Sequence, residues 1–417
     1  MEVTIRNRDF GFFWAGHTIS ALGTHVTAVA LPLLATLVLG AGASGVAAVA
    51  TASYLPNVLL PLLAGHWLEQ RRRRPVMIGA DLLRAAALAT VPTAYLMGVL
   101  TVPLLVVIAF VVGALGVVFD IGGFAYVPTL VGEKDLPAAN RAVQGSTTAA
   151  QVAGPGIAGL LTQVAGPALA VLVDAVSYLG SALGVAAARR PEPRPPAPEK
   201  GTGILTGLRI VAADPYLRAL TAHASIYNAA SQIVTVNLVV HLVTERGLSA
   251  GMFGLALTAS GAGAFAGTML ALRTAARWGY GRAFAAALAL STGVPLVIAF
   301  LPGEGALLAG SLAAVQFVSG IGLGAANVLS VTLRQVIAPR GSLARTNGGY
   351  RTLIFGVLPV GSALGGVLGQ ALGSRAGVAI GAAGLALSSL PMLTRRMRRL
   401  KSPQTVMPLG TPSSSRM

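Results

Sequence analysis

Residues 135–161 read DLPAANRAVQGSTTAAQVAGPGIAGLL, and this stretch decides the fold of the 417-residue chain. A second copy of its pattern, SLARTNGGYRTLIFGVLPVGSALGGVL, occupies residues 342–368, which lie 207 residues further along. In this register Asn140 aligns with Asn347. A repeat of half the chain length predicts two similar halves in tandem. Because each half runs into long apolar segments, we expect both halves to be helical membrane bundles.

The composition is typical of a polytopic helical membrane protein. Hydrophobic residues make up 54% of the chain and charged residues only 10%, and the 52 glycines allow helices to pack closely in a membrane. The apolar runs are continuous, whereas strands of a β-barrel would alternate. The net charge of +17 comes from arginines and lysines in alternate loops, which argues against nucleic-acid binding. The chain has no cysteine, which excludes disulfides and thiolate metal sites.

Hydropathy predicts an all-α membrane protein with twelve transmembrane helices in two six-helix repeats. The basic loops all fall on one side, which places the N and C termini in the cytoplasm. The first residues lack a cleavable signal sequence, so we expect them to be retained. The predicted spans cover residues 10–38, 45–68, 75–97, 102–129, 141–165, 167–188, 219–243, 250–273, 282–302, 306–334, 346–371 and 376–394.

A proline-rich stretch, RRPEPRPPAPEKGTG at residues 189–203, separates the two halves. Its prolines prevent a helix and favour an extended, solvated linker. The polar, proline-containing end of the chain is predicted to be disordered. We therefore predict an N-terminal six-helix bundle over residues 1–188, a cytoplasmic linker with an interfacial helix over 189–215, a C-terminal six-helix bundle over 216–394 and a cytoplasmic tail over 395–417.

The loop between spans two and three, GHWLEQRRRR at residues 65–74, resembles the signature loop of the major facilitator superfamily, Gly-x-x-x-Asp-Arg-x-Gly-Arg-Arg. The match is partial, because Glu replaces Asp, Gln replaces the first Arg and Arg replaces the second Gly. The resemblance implies the major facilitator fold and a cytoplasmic gate that locks the outward-facing state. The gate residues would be Gly65, Glu69, Arg71, Arg73 and Arg74.

Other stretches resemble the branch of this superfamily that contains the macrolide-efflux proteins and the enterobactin exporter. They are ADLLRAAAL at 80–88, YVPTLVGEKDLPAANRAVQGS at 126–146, GPGIAGLL at 154–161 and VDAVSYLGSAL at 173–183. The resemblance covers about residues 5–394 and implies a secondary active exporter of an amphipathic drug, macrolide-like compound or siderophore, driven by proton antiport. Gly154 and Pro155 are similar to the glycine-proline motif of drug–proton antiporters, where a bend serves the gate; ordinary tight packing is the alternative.

Ionisable residues inside a membrane are costly, so each one predicts a partner or a watery cavity. Asp81 and Arg84 are three residues apart in span three and predict a structural pair. The resemblance places span three on the periphery, and we predict a similar role for Asp174. Span four, which holds Asp120, lines the central cavity in the resembling family. Asp120 is therefore the candidate for protonation or for binding a cationic substrate group, with a buried hydrogen-bonded carboxyl as the alternative.

Polar residues in spans one, seven and ten complete the predicted substrate and coupling site. His25 could titrate near neutral pH, with a helix–helix hydrogen bond as the alternative. Amide and hydroxyl groups with few charges suit a bulky amphipathic substrate. Besides Asp120 and His25, the predicted site comprises Thr24, His223, Tyr227, Asn228, Gln232, Gln316 and Asn327.

Motifs for chemical catalysis are missing from the sequence. It has no Walker loop, no His-Glu-x-x-His and no Gly-x-Ser-x-Gly, so we expect no enzyme, no cofactor and no metal site. The predicted partners are a small-molecule substrate, protons and membrane lipids, and the protein is expected to be a multi-pass monomer of the bacterial plasma membrane. Two alternatives stay open, which are an importer of the same fold and a non-transporting membrane scaffold.

Overall fold

A computed structural model describes residues 7–61, 67–68, 71–132, 135–190, 192, 205–337, 343–394 and 400. Within these ranges the chain forms α-helices and no β-strand. The first helices are α1 (Arg8–Leu37), α2 (Ala43–Tyr54), α3 (Pro56–Leu59), α4 (Arg73–Leu96), α5 (Val102–Val131), α6 (Leu136–Ala165) and α7 (Pro167–Ala187). The later helices are α8 (Leu205–Ala213), α9 (Pro215–Val239), α10 (Ala250–Trp278), α11 (Tyr280–Leu288), α12 (Gly305–Ile337), α13 (Leu343–Gly356), α14 (Leu358–Leu372) and α15 (Ser374–Ser388).

Ten stretches of the described chain are long and apolar enough to cross a membrane. Two of the twelve predicted spans are not among them. The span predicted at 45–68 is divided into α2 and α3, and residues 62–66 of it lie outside the described residues. The span predicted at 141–165 lies within α6, a continuous helix of 30 residues whose first half is polar. The number twelve therefore stays a prediction.

Prolines and glycines set the helix boundaries. Pro56 begins α3 where α2 ends, and Pro359 follows the break between α13 and α14, because proline has no N–H to donate to the preceding turn. Gly166 and Gly373 separate α6 from α7 and α14 from α15 with φ angles of +83° and +86°. Only glycine adopts such angles without strain, so each helix pair turns within one residue.

The helices begin at positions that recur along the chain. Helices α1, α2, α4, α6 and α7 begin at residues 8, 43, 73, 136 and 167, and α9, α10, α11, α13 and α15 begin at 215, 250, 280, 343 and 374. Each start in the second set is 207 residues after its counterpart in the first set. Regular α-helix is interrupted in the second set, where α9 continues as a π-helix over Val240–Glu245 and α11 as π-helix and 3₁₀-helix through Phe300.

The helices form two groups, α1 to α7 and α8 to α15, which pack against each other. In the first group α7 packs on α1 and α4, and in the second α9 packs on α14 and α15 while α10 packs on α12. Contacts of α6 with α10 and of α2 with α14 join the groups. We call one end of the bundle the short-loop side; it holds the connections at residues 38–42, 97–101, 166, 246–249, 301–304 and 373. The opposite end, the basic side, carries Arg8, Arg71, Arg72, Arg73, Arg74, Arg189, Arg190, Arg277 and Arg334.

Candidate functional site

A cavity of about 350 Å³ lies between the first group of helices and α9. Its walls are mostly apolar residues of α1, α2 and α5, and six titratable residues also line it. We call it the charged cavity. An apolar pocket with a few convergent polar groups is the usual form of a small-molecule site. The titratable residues that line it are His25, Tyr54, Arg84, Asp120, Asp174 and Tyr178.

Asp120 is open to the charged cavity. Its side chain is exposed, and within the described residues it forms no hydrogen bond or ion pair. Two cations, Arg84 and Arg351, are near enough to act on it electrostatically. Arg84 comes from α4 and leans over Gly116, one helical turn before Asp120, whereas Arg351 belongs to α13 in the other group of helices. The carboxylate is thus free to take up a proton or a cationic group of a ligand.

Arg84 is the centre of a buried polar network. Its Nη1 donates to Asp81 Oδ1 at 3.2 Å, and its Nη2 donates to the hydroxyl of Tyr178 at 2.6 Å. The guanidinium carbon also lies 3.7 Å from the centre of the Tyr178 ring, which adds a cation–π contact. The side chains of Asp81 and Arg84 therefore form an ion pair, as their spacing predicts. The guanidinium nevertheless reaches the cavity wall from α4, although we expected span three to be peripheral.

Helix α1 joins this network through hydroxyl groups. Thr24 Oγ1 lies 3.0 Å from the Tyr178 hydroxyl, and the Thr24 side chain is exposed in the cavity. His25 also lines the cavity and is half-buried. Its Cβ lies 2.5 Å from the position that a Cβ on Gly154 would occupy. Gly154 therefore allows α6 to approach the backbone of α1 at His25, which is the packing role that we set beside a gating role.

A second cavity of about 270 Å³ lies between α1, α9, α10 and α12. We call it the neutral cavity, because its lining contains hydroxyl and amide groups and no charged side chain. Tyr227 and Gln316 line it, whereas Gln232 lines the charged cavity. The two cavities meet, since both are lined by Ala28, Pro32 and Thr235.

Three predicted site residues lie outside both cavities. His223 Nδ1 is 2.8 Å from the carbonyl oxygen of Ser388, and Asn228 Nδ2 donates to the carbonyl of Ile354 at 2.7 Å. These side chains hold α9 against its neighbours. Asn327 is exposed on α12 and lines neither cavity, although it follows Asp120 by 207 residues.

The chain matches a known family over nearly its whole length: residues 3–412 match the transmembrane secretion effectors. The chain belongs to this family of the major facilitator superfamily. The chain is 30% identical over 386 residues to the "Multidrug efflux pump Tap" of Mycolicibacterium fortuitum, with 89% of this chain and 90% of that protein covered. Its relatives and its fold are those of transporters rather than enzymes, and it is a multi-pass protein of the bacterial inner membrane.

Solved structures share the fold of this chain. A bacterial homologue of the iron transporter ferroportin in an inward-facing state superposes with a TM-score of 0.71 and 19% identity, covering 94% of this chain and 99% of that one. An outward-facing structure of a bacterial ferroportin homologue superposes with a TM-score of 0.59 and 17% identity, covering 92% and 98%.

The structure describes only part of the predicted cytoplasmic gate. Gly65 and Glu69 lie outside the described residues. Arg71 lies 5.7 Å from the ring centre of Trp67, and Arg74 donates to the carbonyls of Val185 and Ala186. The proline-rich stretch that separates the predicted halves contributes a residue that sequence reasoning missed.

That residue is Glu192, which caps the N-terminus of α4. Its two carboxylate oxygens accept from the backbone N–H groups of Arg73 and Arg74 at 2.8 and 3.2 Å, and Arg73 Nη1 lies 3.8 Å from Oε1. An acid at a helix N-terminus is stabilised by the unpaired N–H groups and by the helix dipole. The distance of 119 residues between Glu192 and Arg73 hides this contact from any local sequence pattern.

Glycines bring the two groups of helices together near the short-loop side. The position of a Cβ on Gly159 of α6 would lie 2.8 Å from the Cα of Gly254 in α10, so each glycine is required by the other. A Cβ on Gly254 would also collide with the carbonyl oxygen of Pro155. Gln163 completes the contact by accepting from the backbone N–H of Gly251 at 3.0 Å. The backbones of α6 and α10 are therefore in direct contact here.

Proposed function

We propose that this protein exports an amphipathic small molecule with a cationic group across the inner membrane by proton antiport. The observation that carries the proposal is Asp120, an unpaired carboxylate open to a largely apolar cavity. An apolar wall suits the hydrophobic body of such a compound, and a carboxylate at membrane depth suits its cation or a proton. The identity of 30% to a protein named as a multidrug efflux pump supports export of this class of compound.

In the proposed transporter, two six-helix halves over residues 1–188 and 216–394 are joined by a cytoplasmic linker. The helix starts that recur after 207 residues support this division. The ten long apolar stretches become twelve spans when two more are added. One is formed by α2 together with α3, and the other by α6. The basic side would face the cytoplasm together with both chain termini, in agreement with the positive-inside rule.

The transport cycle would be alternating access by rocking of the two halves about the cavities. The glycine contacts of α6 with α10 close the short-loop side, which supports an inward-open state with the basic side accessible. The higher TM-score for an inward-facing than for an outward-facing relative agrees with this assignment. In this state substrate would enter from the cytoplasm or the inner leaflet.

Coupling would arise from competition at Asp120. A proton and the substrate cation cannot both occupy one carboxylate, so arrival of the cation releases the proton. His25 lines the same cavity and is the second candidate for the coupling group. A substrate that binds one protonation state better shifts the equilibrium between the inward-open and outward-open states.

The test is uptake into inverted membrane vesicles with an imposed pH gradient. The probes are ethidium as an aromatic cation, erythromycin as a macrolide and a catecholate siderophore. We expect accumulation of at least one probe by the wild type only with the gradient, and loss of that dependence in Asp120→Asn. Accumulation only in right-side-out vesicles would instead indicate import. Absence of movement of every probe in either orientation would contradict the proposed transport of this class of compound.

A further inference from the structure

We propose that Asp174 is a second proton-binding site, which holds a proton in a buried niche beside the charged cavity and exchanges it during transport. Asp174 was expected to be a peripheral structural residue. The structure instead places its side chain in the cavity wall with no exposed surface. Exchange of this proton during transport rests on the proposed antiport, whereas occupancy of the site by a proton does not.

The first argument is the balance of charge. Three carboxylates act electrostatically on the guanidinium of Arg84: Asp81 of the same helix α4, Asp120 of α5 and Asp174 of α7. Arg84 and Arg351 of α13, which acts on Asp120, compensate at most two of the three negative charges, so at least one remains. In a membrane interior an uncompensated carboxylate is strongly disfavoured and takes up a proton instead. Asp120 can be neutralised from the open cavity by substrate or by a proton, but Asp174 has no such access to a bulky cation.

The second argument is which buried carboxylate has no hydrogen bond from a cation. The hydrogen bonds of Arg84 go to Asp81 and to Tyr178, and none goes to Asp174. Asp174 Oδ1 accepts from the Ser177 hydroxyl at 2.9 Å. Its Oδ2 is buried and has no hydrogen-bond partner within the described residues. A buried carboxylate oxygen without a donor is costly, and a proton on that oxygen removes the charge.

The third argument is that the niche suits a carboxylic acid. Thr27 of α1 faces the Asp174 carboxyl, and its Oγ1 is also buried without a partner in the described part of the chain. A proton on Asp174 Oδ2 would turn that atom into a donor that Thr27 Oγ1 can accept. Gly23 makes room for the group, because a Cβ there would collide with Asp174 Oδ1. A larger residue at position 23 would displace the carboxyl from α1.

A short path joins the niche to the cavity. Thr24 and Thr27 both line the charged cavity, and Thr24 is hydrogen-bonded to Tyr178, the neighbour of Asp174 one turn along α7. The exchange breaks the Oδ2–H bond, passes the proton to water in the cavity and leaves a carboxylate that Arg84 can stabilise. Reprotonation from the opposite side of the membrane restores the neutral acid.

Other titratable groups near this cluster have different surroundings. His17 on α1 lies 3.3 Å from the Thr147 hydroxyl of α6 and is not hydrogen-bonded to a carboxylate in the described chain. His25 faces the cavity from the same helix, and Arg351 acts on Asp120 from α13. The groups that act on Asp174 itself are Arg84 and the hydroxyls of Thr27, Ser177 and Tyr178. None of these provides a second buried cation for Asp174.

The first experiment is infrared spectroscopy of the purified protein in lipid across a pH titration. A protonated carboxylic acid gives a C=O stretching band that a carboxylate lacks. We expect a band at neutral pH that loses the intensity of one carboxylic acid in Asp174→Asn and keeps its full intensity in the matched control Asp9→Asn, whose carboxylate is in the first turn of α1. Persistence of the full band in Asp174→Asn would overturn the proposal. This readout needs no substrate, so it stands if the proposed transport fails.

The second experiment measures the number of protons exchanged per ethidium, from the pH gradient that just balances an ethidium gradient across proteoliposomes. We expect Asp174→Asn to exchange one proton fewer than the wild type and Asp9→Asn to match the wild type. An unchanged ratio in Asp174→Asn would show that the proton is structural and would overturn the exchange.

If Asp174→Asn does not fold, Thr27→Val tests the same site with a nearly isosteric change. The variant removes the acceptor for the acid proton, so we expect the infrared band to titrate at a lower pH than in the wild type. An unchanged titration midpoint in Thr27→Val would count against the niche as the proton site.

Discussion

The charged cavity and the neutral cavity share α1 and α9 and meet at Thr235, yet they differ completely in electrostatics. The charged cavity receives Arg84 from α4 and Asp174 from α7, which are helices behind the cavity wall. The neutral cavity is lined by hydroxyl and amide groups of the helices that form its own wall. Most charged side chains of the charged cavity therefore come from supporting helices, where surrounding protein atoms hold them in place. Asp120 is the charged residue that comes from a helix of the wall itself.

The largest effect on the difference between the two cavities is expected at Arg84. Arg84→Gln removes the cation from three carboxylates, and loss of one partner of a buried ion pair costs about 3–5 kcal/mol. We expect a large fall in thermal stability in lipid nanodiscs, partly recovered in the double variant with Asp81→Asn. The exposed Arg209→Gln is the control and should change stability by less than about 0.5 kcal/mol. Equal stability of Arg84→Gln and Arg209→Gln would show that the network is not structural.

Asp120→Asn removes the charge that the wall of the charged cavity itself contributes, without changing the shape of the cavity. A charge-assisted interaction is worth about 1.5–3 kcal/mol, which corresponds to roughly a 10- to 100-fold change in rate or affinity. We expect the initial rate of gradient-driven ethidium uptake into inverted vesicles to fall by that factor. Asn327→Ala, at the position 207 residues later, should leave the rate near that of the wild type. A wild-type rate in Asp120→Asn would transfer the coupling role to His25.

Gly159→Ala tests the closure that both cavities share. The added methyl group meets the Cα of Gly254 at 2.8 Å, and overpacking of this kind costs about 1–3 kcal/mol. The chain has no cysteine, so Thr235→Cys gives a single labelling site where the cavities meet. We expect Gly159→Ala to increase labelling from the short-loop side. Gly145→Ala in the same helix has no atom within 4 Å of its new Cβ and should not change labelling.

The smallest effect is expected in the neutral cavity. Gln316→Ala removes one uncharged hydrogen-bonding group, which is worth about 1 kcal/mol, or roughly fivefold in apparent substrate affinity. We expect this loss to be the same at every pH, because no proton is involved. A loss in Gln316→Ala that depends on pH, in transport assays from pH 6 to 8, would remove the distinction between the two cavities.

Much of the helical architecture follows from the sequence. Long apolar runs predict most of the spans because a bilayer requires about 20 apolar residues in one helix. The division of α2 from α3 was missed, since hydropathy is blind to a break at Pro56 inside an apolar run. The capping of α4 by Glu192 was missed for another reason, because a contact over 119 residues depends on the packing of whole helices.

The candidate site could be predicted only coarsely. The sequence indicates which helices carry polar residues, and Asp120, His25, Thr24, Gln232, Tyr227 and Gln316 line the cavities. It does not give the rotation of each helix, so His223 and Asn228 were expected in the cavity but are bonded to neighbouring helices. It also cannot show how far a long side chain reaches. Arg84 crosses from a supporting helix to the cavity wall for that reason.

The contact of Gly159 with Gly254 has a consequence for the speed of the transport cycle. Glycine has no side-chain rotamers. Separating two glycine surfaces therefore leaves the side-chain conformational entropy of these residues unchanged. A contact built from leucines would have to unlock and repack its rotamers at every opening. Two smooth backbones can part and meet again over a low barrier, so this junction is suited to fast, repeated opening rather than to permanent closure.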